Sequence, residues 1–358
     1  MRHIAQKWLL ATLTLALVAT GCGGGGGDVS SANDLAKLSA GDVKPPPAVN
    51  AKRTGLPGLV LATNSPSLRR LAGAPEGEGA VILFVEPGGP SDGLGVGRGD
   101  LITKVGSVAV TNHARALALL HDVPKTKLQV GVKHRDGRER TISITPREPL
   151  VTSLRQYINP LVAASPKDPI LRYLRASAAG PFSERLADLE TALDLDKRFV
   201  EAMNLRASLI WDNRPTSGSE RSRFVNAALD GWKDALAIDA NNLLVLTTRS
   251  TVLSVLGNGA QARRDASKAV EVDPSSPRAY YAEGVAEETL KRPHEAAGPA
   301  RAAVELDPFN IQHWRLLART FNALKRKGDC QKTANGFAPF LQAQGFDRDA
   351  EVLRGLCK

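Results

Sequence analysis

The side chains best suited to covalent chemistry in this 358-residue sequence are three cysteines, Cys22, Cys330 and Cys357. A thiolate can act as a nucleophile, ligate zinc or enter a disulfide. No Cys-x-x-Cys is present and the six histidines are scattered without a His-Glu-x-x-His, so no metal site is predicted. The sequence also lacks the Gly-x-Ser-x-Gly of serine hydrolases, and the glycine-rich stretch 93–99 lacks the Lys-Ser/Thr of a phosphate loop. We therefore expect no catalytic site and no cofactor.

The N-terminus has the parts of an export signal. Arg2 and Lys7 form a positive region, and the apolar stretch 8–19 is too short for a typical transmembrane helix. The small residues that end at Cys22 resemble the lipoprotein signal of bacteria, although Ala19 stands where that family usually has leucine. The resemblance implies a signal over 1–22 that ends at a lipidated Cys22, and hence a protein anchored to a membrane of the cell envelope, facing the periplasm or the cell exterior. An ordinary secretory signal cut near the same place is the alternative.

Residues 23–54 are predicted to form a tether. They contain an unbroken glycine run, 23–27, and a proline run, 45–47, with few apolar side chains. Such a composition cannot bury enough apolar surface to fold, so we expect a flexible chain with a stiffer proline piece.

Residues 55–148 contain short strands separated by turn signals. The apolar run Ala80–Val85 has strand length, and Pro87-Gly88-Gly89-Pro90 ends it. One helical turn is expected directly after that proline. A helix capped by Thr111-Asn112 should run to His121. The other predicted strands are Leu101–Val105, Val108–Val110, Leu128–Lys133 and Glu139–Ile144.

This order of elements resembles the PDZ family, in the circularly permuted variety found in bacterial envelope proteases. The resemblance implies a small β-barrel or sandwich with two helices, and a peptide groove between its first strand and the helix that ends at His121. In the family, a glycine between apolar residues forms a loop whose N–H groups bind a peptide's C-terminal carboxylate. The groove residues carried over from the family are Gly58, Leu59, Val60, Leu61, His113, Leu117 and Leu120.

Two of these positions admit a simpler interpretation. Gly58 could merely turn the chain into a strand, and Pro57 beside it has no N–H to donate. His113 stands where some PDZ domains select Ser or Thr in the peptide, but the sequence favours a surface histidine beside a helix cap.

The second half of the chain repeats itself. A small-residue motif ending in aspartate recurs at Asp196, Asp239, Asp273 and Asp307, the last two followed by proline. The last two intervals are 34 residues and the first is 43, so residues 212–220 are expected to hold a nine-residue insertion. Helical periodicity at a 34-residue spacing resembles the tetratricopeptide (TPR) family. The resemblance implies helical hairpins whose concave face binds a protein.

The fold class expected is therefore α+β in two domains, a PDZ-like domain over 55–148 and an all-α TPR solenoid. We assign 149–165 to a linker or capping helix, 166–344 to about four repeats, and 345–358 to a C-terminal capping helix. Folding the last helices back about Gly345 brings Cys357 within about one helical turn of Cys330. In an oxidising compartment the two thiols should form a disulfide. Free thiols are the alternative, expected in a cytoplasmic protein.

Charge argues against a nucleic-acid partner. The net charge is +10, but the basic residues are spread thinly, without a basic stripe or interleaved aromatic residues. The sequence therefore predicts an exported, membrane-anchored scaffold that binds a peptide C-terminus in the PDZ-like groove and a second protein on the TPR face. One alternative is an accessory or regulatory subunit of an envelope protease or of a secretion or assembly machine. The other is an enzyme with an unrecognised site.

Overall fold

The structure is a computed structural model that describes residues 58–121, 127–146, 154–343 and 345–358. The chain divides into two compact units, one ending at Ala240 and the other comprising Asn241–Lys358. The first unit holds the sheet and the first helical hairpins, and the second holds the remaining hairpins and the C-terminal helix. Cys22 and the predicted tether lie outside the described residues.

The first unit is built around a six-stranded antiparallel sheet. Its strand order is β1-β2-β3-β5-β6, with the short β4 paired to β3. The strands are β1 Leu59–Thr63, β2 Ala80–Val85, β3 Leu101–Val105, β4 Val108–Ala109, β5 Leu128–Lys133 and β6 Glu139–Ile144. An antiparallel sheet of this kind is the β part of the predicted α+β fold.

Two helices accompany the sheet, α1 (Pro66–Ala72) and α2 (His113–His121). The expected helical turn after Pro90 is wrong, because the chain forms only turns over 91–95. Helix α1 stands instead between β1 and β2. Ser65 caps it by accepting a hydrogen bond from the Leu68 N–H (3.2 Å), and Gly73 ends it in the left-handed conformation.

Both faces of the sheet are covered, which explains why β2 is apolar throughout. Ala80 and Ile82 point into a cluster completed by α2, whereas Val81 and Leu83 point into a second cluster on the opposite face. A strand buried on one face only would alternate apolar and polar residues, so the unbroken run Ala80–Val85 is the sequence signature of this double cover.

Helices build the second cluster as much as strands do. The helices that follow the sheet are α3 Leu154–Ala164, α4 Pro169–Ser177, α5 Phe182–Leu195, α6 Val200–Asp212 and α7 Gly218–Ile238. Residues of α3 to α6 and of α1 pack in one cluster with Val81, Leu83 and Leu101 of the sheet. The stretch predicted as linker or capping helix thus contains the packed helix α3, with Ile158 and Val162 buried.

The predicted insertion lies mostly in a helix rather than in a loop. Helix α7 has 21 residues, whereas the equivalent helices of the next two hairpins have 14 each. Seven of the nine additional residues therefore lengthen α7, and the loop before it, 213–217, takes the other two. Trp232 of this helix is fully buried and donates a hydrogen bond to Asn204 of α6 (3.0 Å).

The second unit consists of three helical hairpins and a closing helix. They are α8 Leu243–Val255, α9 Gly259–Val272, α10 Pro277–Thr289, α11 Pro293–Leu306, α12 Ile311–Ala323, α13 Lys327–Ala343 and α14 Asp347–Gly355. Asn242, Ser276 and Asn310 cap the first helix of each hairpin through their side-chain oxygens. With α4/α5 and α6/α7 in the first unit, the described residues contain five such hairpins, where the sequence predicted about four.

Small residues set the spacing of these hairpins. A Cβ on Gly284 would stand 2.8 Å from Leu316 Cδ2, so a larger residue would push α12 away from α10. Ala296, Ala300 and Ala303 of α11 are buried in the same way. Of these residues Ala303 opens the repeated motif that ends at Asp307, so that motif includes one of the positions where helices approach closely.

A disulfide links the closing helix region to the last hairpin. Cys330 in α13 and Cys357 after α14 are bonded, with their Cα atoms 5.5 Å apart, and both are buried. The chain reverses at Gly345, whose φ is 81°. The bond closes a loop across 27 positions of sequence.

We expect reduction of this disulfide to lower the free energy of unfolding of the second unit by about 3–4 kcal/mol, because the reduced unfolded chain regains the freedom of that loop. Urea unfolding with and without dithiothreitol measures the difference. The double variant Cys330→Ala, Cys357→Ala is the control and should not respond to the reductant. Two alkylatable thiols in protein purified without reductant would contradict the prediction.

Candidate binding surfaces

The first candidate surface is the groove between β1 and α2. Among the described strands β1 pairs with β2 alone, so β1 is an edge strand of the described sheet. Helix α2 contacts β1, and Thr63 Oγ1 lies 2.6 Å from His113 Nδ1, which ties the end of the strand to the start of the helix. An edge strand beside a helix is the arrangement that strand-adding peptide sites use.

The structure places the predicted groove residues on two different faces. Leu59, Leu61 and Leu120 belong to the same apolar cluster, on the α2 side of the sheet. Val60 points the other way and packs against the cluster shared with α3 to α6, as the alternation of a strand requires. The backbone of Leu117 lies in α2, and its side chain is outside the description. His113 is half-buried, and its ring contacts the Thr63 hydroxyl.

Gly58 directly precedes β1 and has a φ of +69°, a conformation that favours glycine. Its carbonyl accepts a hydrogen bond from the Glu86 N–H (2.8 Å), so the residue directly after β2 lies opposite it. The sequence offers no signal for this position of Glu86, because it depends on a register that pairs Leu59 with Val85 across the intervening helix α1.

Asp100, which directly precedes β3, has a structural role. Its buried carboxylate accepts hydrogen bonds from the N–H of Gly97 (3.0 Å) and of Arg135 (3.2 Å), and lies 2.9 Å from His134 Nδ1. These contacts hold the start of β3 against the turn that follows β5.

The second candidate surface lies on the first helices of the hairpins in the second unit, and we call it the first-helix face. Helices α8, α10 and α12 lie side by side, and polar or aromatic contacts cross between neighbours. The face consists of Thr248, Arg278, Tyr281, Glu288, Arg315 and Arg319. Arg278 donates to Thr248 (2.9 Å), and Arg319 makes two hydrogen bonds to Glu288 (2.7 and 2.8 Å). The bond to Glu288 raises the pKa of Arg319.

Behind this face lies a buried histidine. His313 of α12 is 3% exposed, its ring is 5.5 Å from that of Tyr281, and its Nδ1 lies 3.2 Å from the carbonyl of Asp307. Burial lowers the pKa of His313 to about 4 and raises that of Tyr281. Both groups are therefore neutral at pH 7 and act as packing rather than as charges.

A cavity of about 460 Å³ in the first unit is lined by three arginines, and each of them is paired with an acidic side chain. Asp188 binds Arg175 and Arg172, and Glu184 binds Arg155. The unpartnered Nη1 of Arg155 is itself buried. We therefore interpret this cluster as structural.

Within 58–121, 127–146, 154–343 and 345–358, no group of three or more His, Cys, Asp or Glu side chains is arranged to hold a metal ion. No helix in these ranges combines the length and the apolar character needed to cross a membrane.

Comparison with known proteins identifies the repeats. Residues 248–311 match the family model described as tetratricopeptide repeat. A stretch of 91 residues is 33% identical to the protein STIP1 homolog of Dictyostelium discoideum, covering 25% of this chain and 16% of that protein's length. The helical hairpins and the family match together place TPR repeats in the C-terminal part of the chain.

Solved TPR structures resemble part of the chain. A thermophilic TPR protein of Thermus thermophilus is 18% identical with a TM-score of 0.41, over 48% of this chain and 89% of that one. The TPR domain of Arabidopsis OM64 is 24% identical with a TM-score of 0.30, over 34% of this chain and 94% of that one.

The buried His313 predicts a pH dependence of stability. Its folded pKa of about 4 lies below the unfolded value of about 6.5, so the unfolded chain binds the proton first and stability falls as the pH drops below 6.5. From pH 7 to pH 5 we expect a loss of about 2 kcal/mol from this group. Urea unfolding should show this loss in the wild type and not in His313→Gln. The exposed His294→Gln is the control, and an equal pH slope in all three proteins would contradict the assignment.

Proposed function

We propose that this chain is a scaffold of the cell envelope that brings two protein partners together. One partner inserts an extended segment into the groove between β1 and α2, and the other binds the first-helix face. The observation that carries the proposal is the available edge of β1 beside α2, on a chain whose C-terminal part consists of TPR repeats. TPR repeats are in general protein-interaction modules and not catalysts, so a protein partner is the expected ligand.

The groove supplies the two requirements of strand addition. The backbone of β1 offers hydrogen bonds along its available edge, and the α2 side is apolar, with Leu59 half-buried above a cluster that includes the buried Leu61 and Leu120. Main-chain bonds provide affinity independent of sequence, and alternate side chains of the bound segment provide specificity.

The first-helix face offers a different chemistry. It combines half-buried Tyr281 with arginines that are held by acidic partners on neighbouring helices. Tyrosine and arginine are the residues most often found at the energetic centre of protein interfaces. Two sites on one anchored chain would raise the effective concentration of each partner near the other.

A pair of variants tests whether the two surfaces act separately. Leu117→Asp introduces a charge into the helix that lines the groove and should abolish binding of extended peptides. Arg278→Glu reverses an exposed charge on the first-helix face and should release the second partner while peptide binding persists. The measurements are peptide binding by fluorescence anisotropy and crosslinked pull-down from membranes.

Arg264→Glu, an exposed reversal on the second helix α9, is the matched control and should leave both interactions intact. Unchanged thermal melting would show that each variant is folded. If either variant removed both interactions, or neither did, the two-site proposal would be wrong.

The proposed location follows from Cys22 and the residues after it. A lipid on Cys22 would anchor the chain, and a flexible stretch over 23–54 would allow the folded units to reach partners away from the membrane. Cys22→Ser should move the protein from the membrane fraction to the soluble fraction. A variant that remains in membranes after salt and carbonate washing would contradict the lipoprotein assignment. The wild type treated identically is the control.

A further inference from the structure

The turn between α8 and α9 holds an asparagine flanked by two glycines. Asn258 stands at the N-cap of α9, its side chain is exposed, and it makes no capping hydrogen bond to the helix. Gly257 before it has a φ of 80°, in the left-handed region, and Gly259 after it is the first residue of α9. The side-chain amide of Asn258 is therefore not engaged by the helix that it precedes.

The backbone nitrogen that follows Asn258 is also uncommitted. The first N–H groups of a helix have no acceptor inside the helix, and in the described part of the second unit the Gly259 N–H has no backbone acceptor outside it. The peptide plane between the two residues is held by a bond from the Ala262 N–H to the Asn258 carbonyl (3.0 Å). That bond is the first of the helix, where local opening costs least.

A second Asn-Gly pair, Asn335-Gly336, has a different setting in the interior of α13. The Gly336 N–H lies where a helical N–H donates to the carbonyl four residues earlier, although Pro339 leaves the Asn335 carbonyl without its usual helical donor. Both asparagine side chains are exposed. The two sites therefore differ in the freedom of the glycine nitrogen and not in their access to water.

We infer that Asn258 is a site of spontaneous covalent modification, at which water converts the side-chain amide into a carboxylate. The Gly259 nitrogen attacks Asn258 Cγ and forms a C–N bond, and its proton leaves with the side-chain nitrogen as ammonia. Water then breaks one of the two C–N bonds of the resulting cyclic imide. Opening at Cγ gives aspartate, and opening at the backbone carbonyl carbon gives isoaspartate. Glycine favours the attack because no Cβ hinders its nitrogen.

The two products have different consequences for the hairpins. Aspartate is as good an N-cap as asparagine, and its charge is favourable at a helix N-terminus. Isoaspartate adds one carbon to the main chain directly before Gly259, where the helix start is tightly packed: a Cβ on Gly259 would stand 2.8 Å from Leu290 Cγ. The longer main chain has to shift the start of α9 against the end of α10, so isoaspartate alone should lower the melting temperature.

The experiment incubates the purified full chain at mildly alkaline pH, once folded and once in urea, and follows both asparagines by mass spectrometry. Trypsin places them in separate peptides, 250–263 and 333–348. In the folded protein we expect Asn258 to exchange its amide for a carboxylate at least about tenfold faster than Asn335, because a helix end opens more readily than a helix interior. In urea the two rates should become similar, since glycine follows both asparagines.

Two variants complete the test. Asn258→Gln should abolish the mass change in peptide 250–263, and its persistence there would assign the change to Gln261 and overturn the inference. Asn258→Asp should melt as the wild type does, whereas aged protein enriched in isoaspartate should melt at a lower temperature; equal melting of all three would reject the predicted shift of α9. Equal rates at Asn258 and Asn335 in the folded protein, or reaction of Asn258 in urea alone, would also overturn the inference.

Discussion

The apolar cluster shared by the sheet and the first helices is the interaction on which the first unit depends. One face of β2 and β3, helix α1, and helices α3 to α6 contribute to it, with Leu68, Leu83 and Leu101 almost fully buried. Burying one such leucine contributes about 2 kcal/mol, whereas an exposed ion pair contributes at most about 1 kcal/mol. The ion pair between Arg70 and Asp196, whose arginine is 47% exposed, therefore adds orientation more than stability.

The shared cluster also constrains the groove. Glu86 follows β2 and receives the Tyr157 hydroxyl from α3, and Gly58 is bonded to the backbone of the same Glu86. The start of β1 is thus connected by two hydrogen bonds to a helix that packs in the shared cluster. The position of Glu86 is therefore held by the same packing that joins the sheet to the first hairpins.

Much of this architecture could be predicted from the sequence because it depends on patterns among residues that are close together in the chain. Five of the strands, helix α2 and the 34-residue period follow from turn residues, caps and small-residue spacing, and the structure has them at nearly the predicted positions. Helix α1 was not predicted, because two turns beginning at Ser65-Pro66 are too short for a clear periodicity. The segregation of Val60 from Leu59 and Leu61 is implied by strand alternation and was overlooked when all three were assigned to one groove.

The rest of the site depends on contacts between residues far apart in the sequence. Glu86 and Tyr157 are 71 positions apart, and Ser67, which donates to Glu201, is 134 positions from its acceptor. No periodicity or motif encodes such a pair, since each member alone is an ordinary polar residue. The position of Glu86 between Gly58 and Tyr157 depends on the sheet register and on the place of α3, which the sequence alone does not give.

The length of helix α7 has a consequence for how repeats of this kind accept insertions. Seven residues are close to two full turns of an α-helix, so a seven-residue extension returns the apolar stripe to within about 20° of its starting direction. An extension of five residues would rotate that stripe by about 140° and aim Trp232 and Ala235 away from α6. The longer helix advances by about 10 Å while its rotational phase is preserved. Phase conservation thus explains how a 43-residue interval can follow the same packing rule as its 34-residue neighbours: a hairpin accepts added length in whole turns.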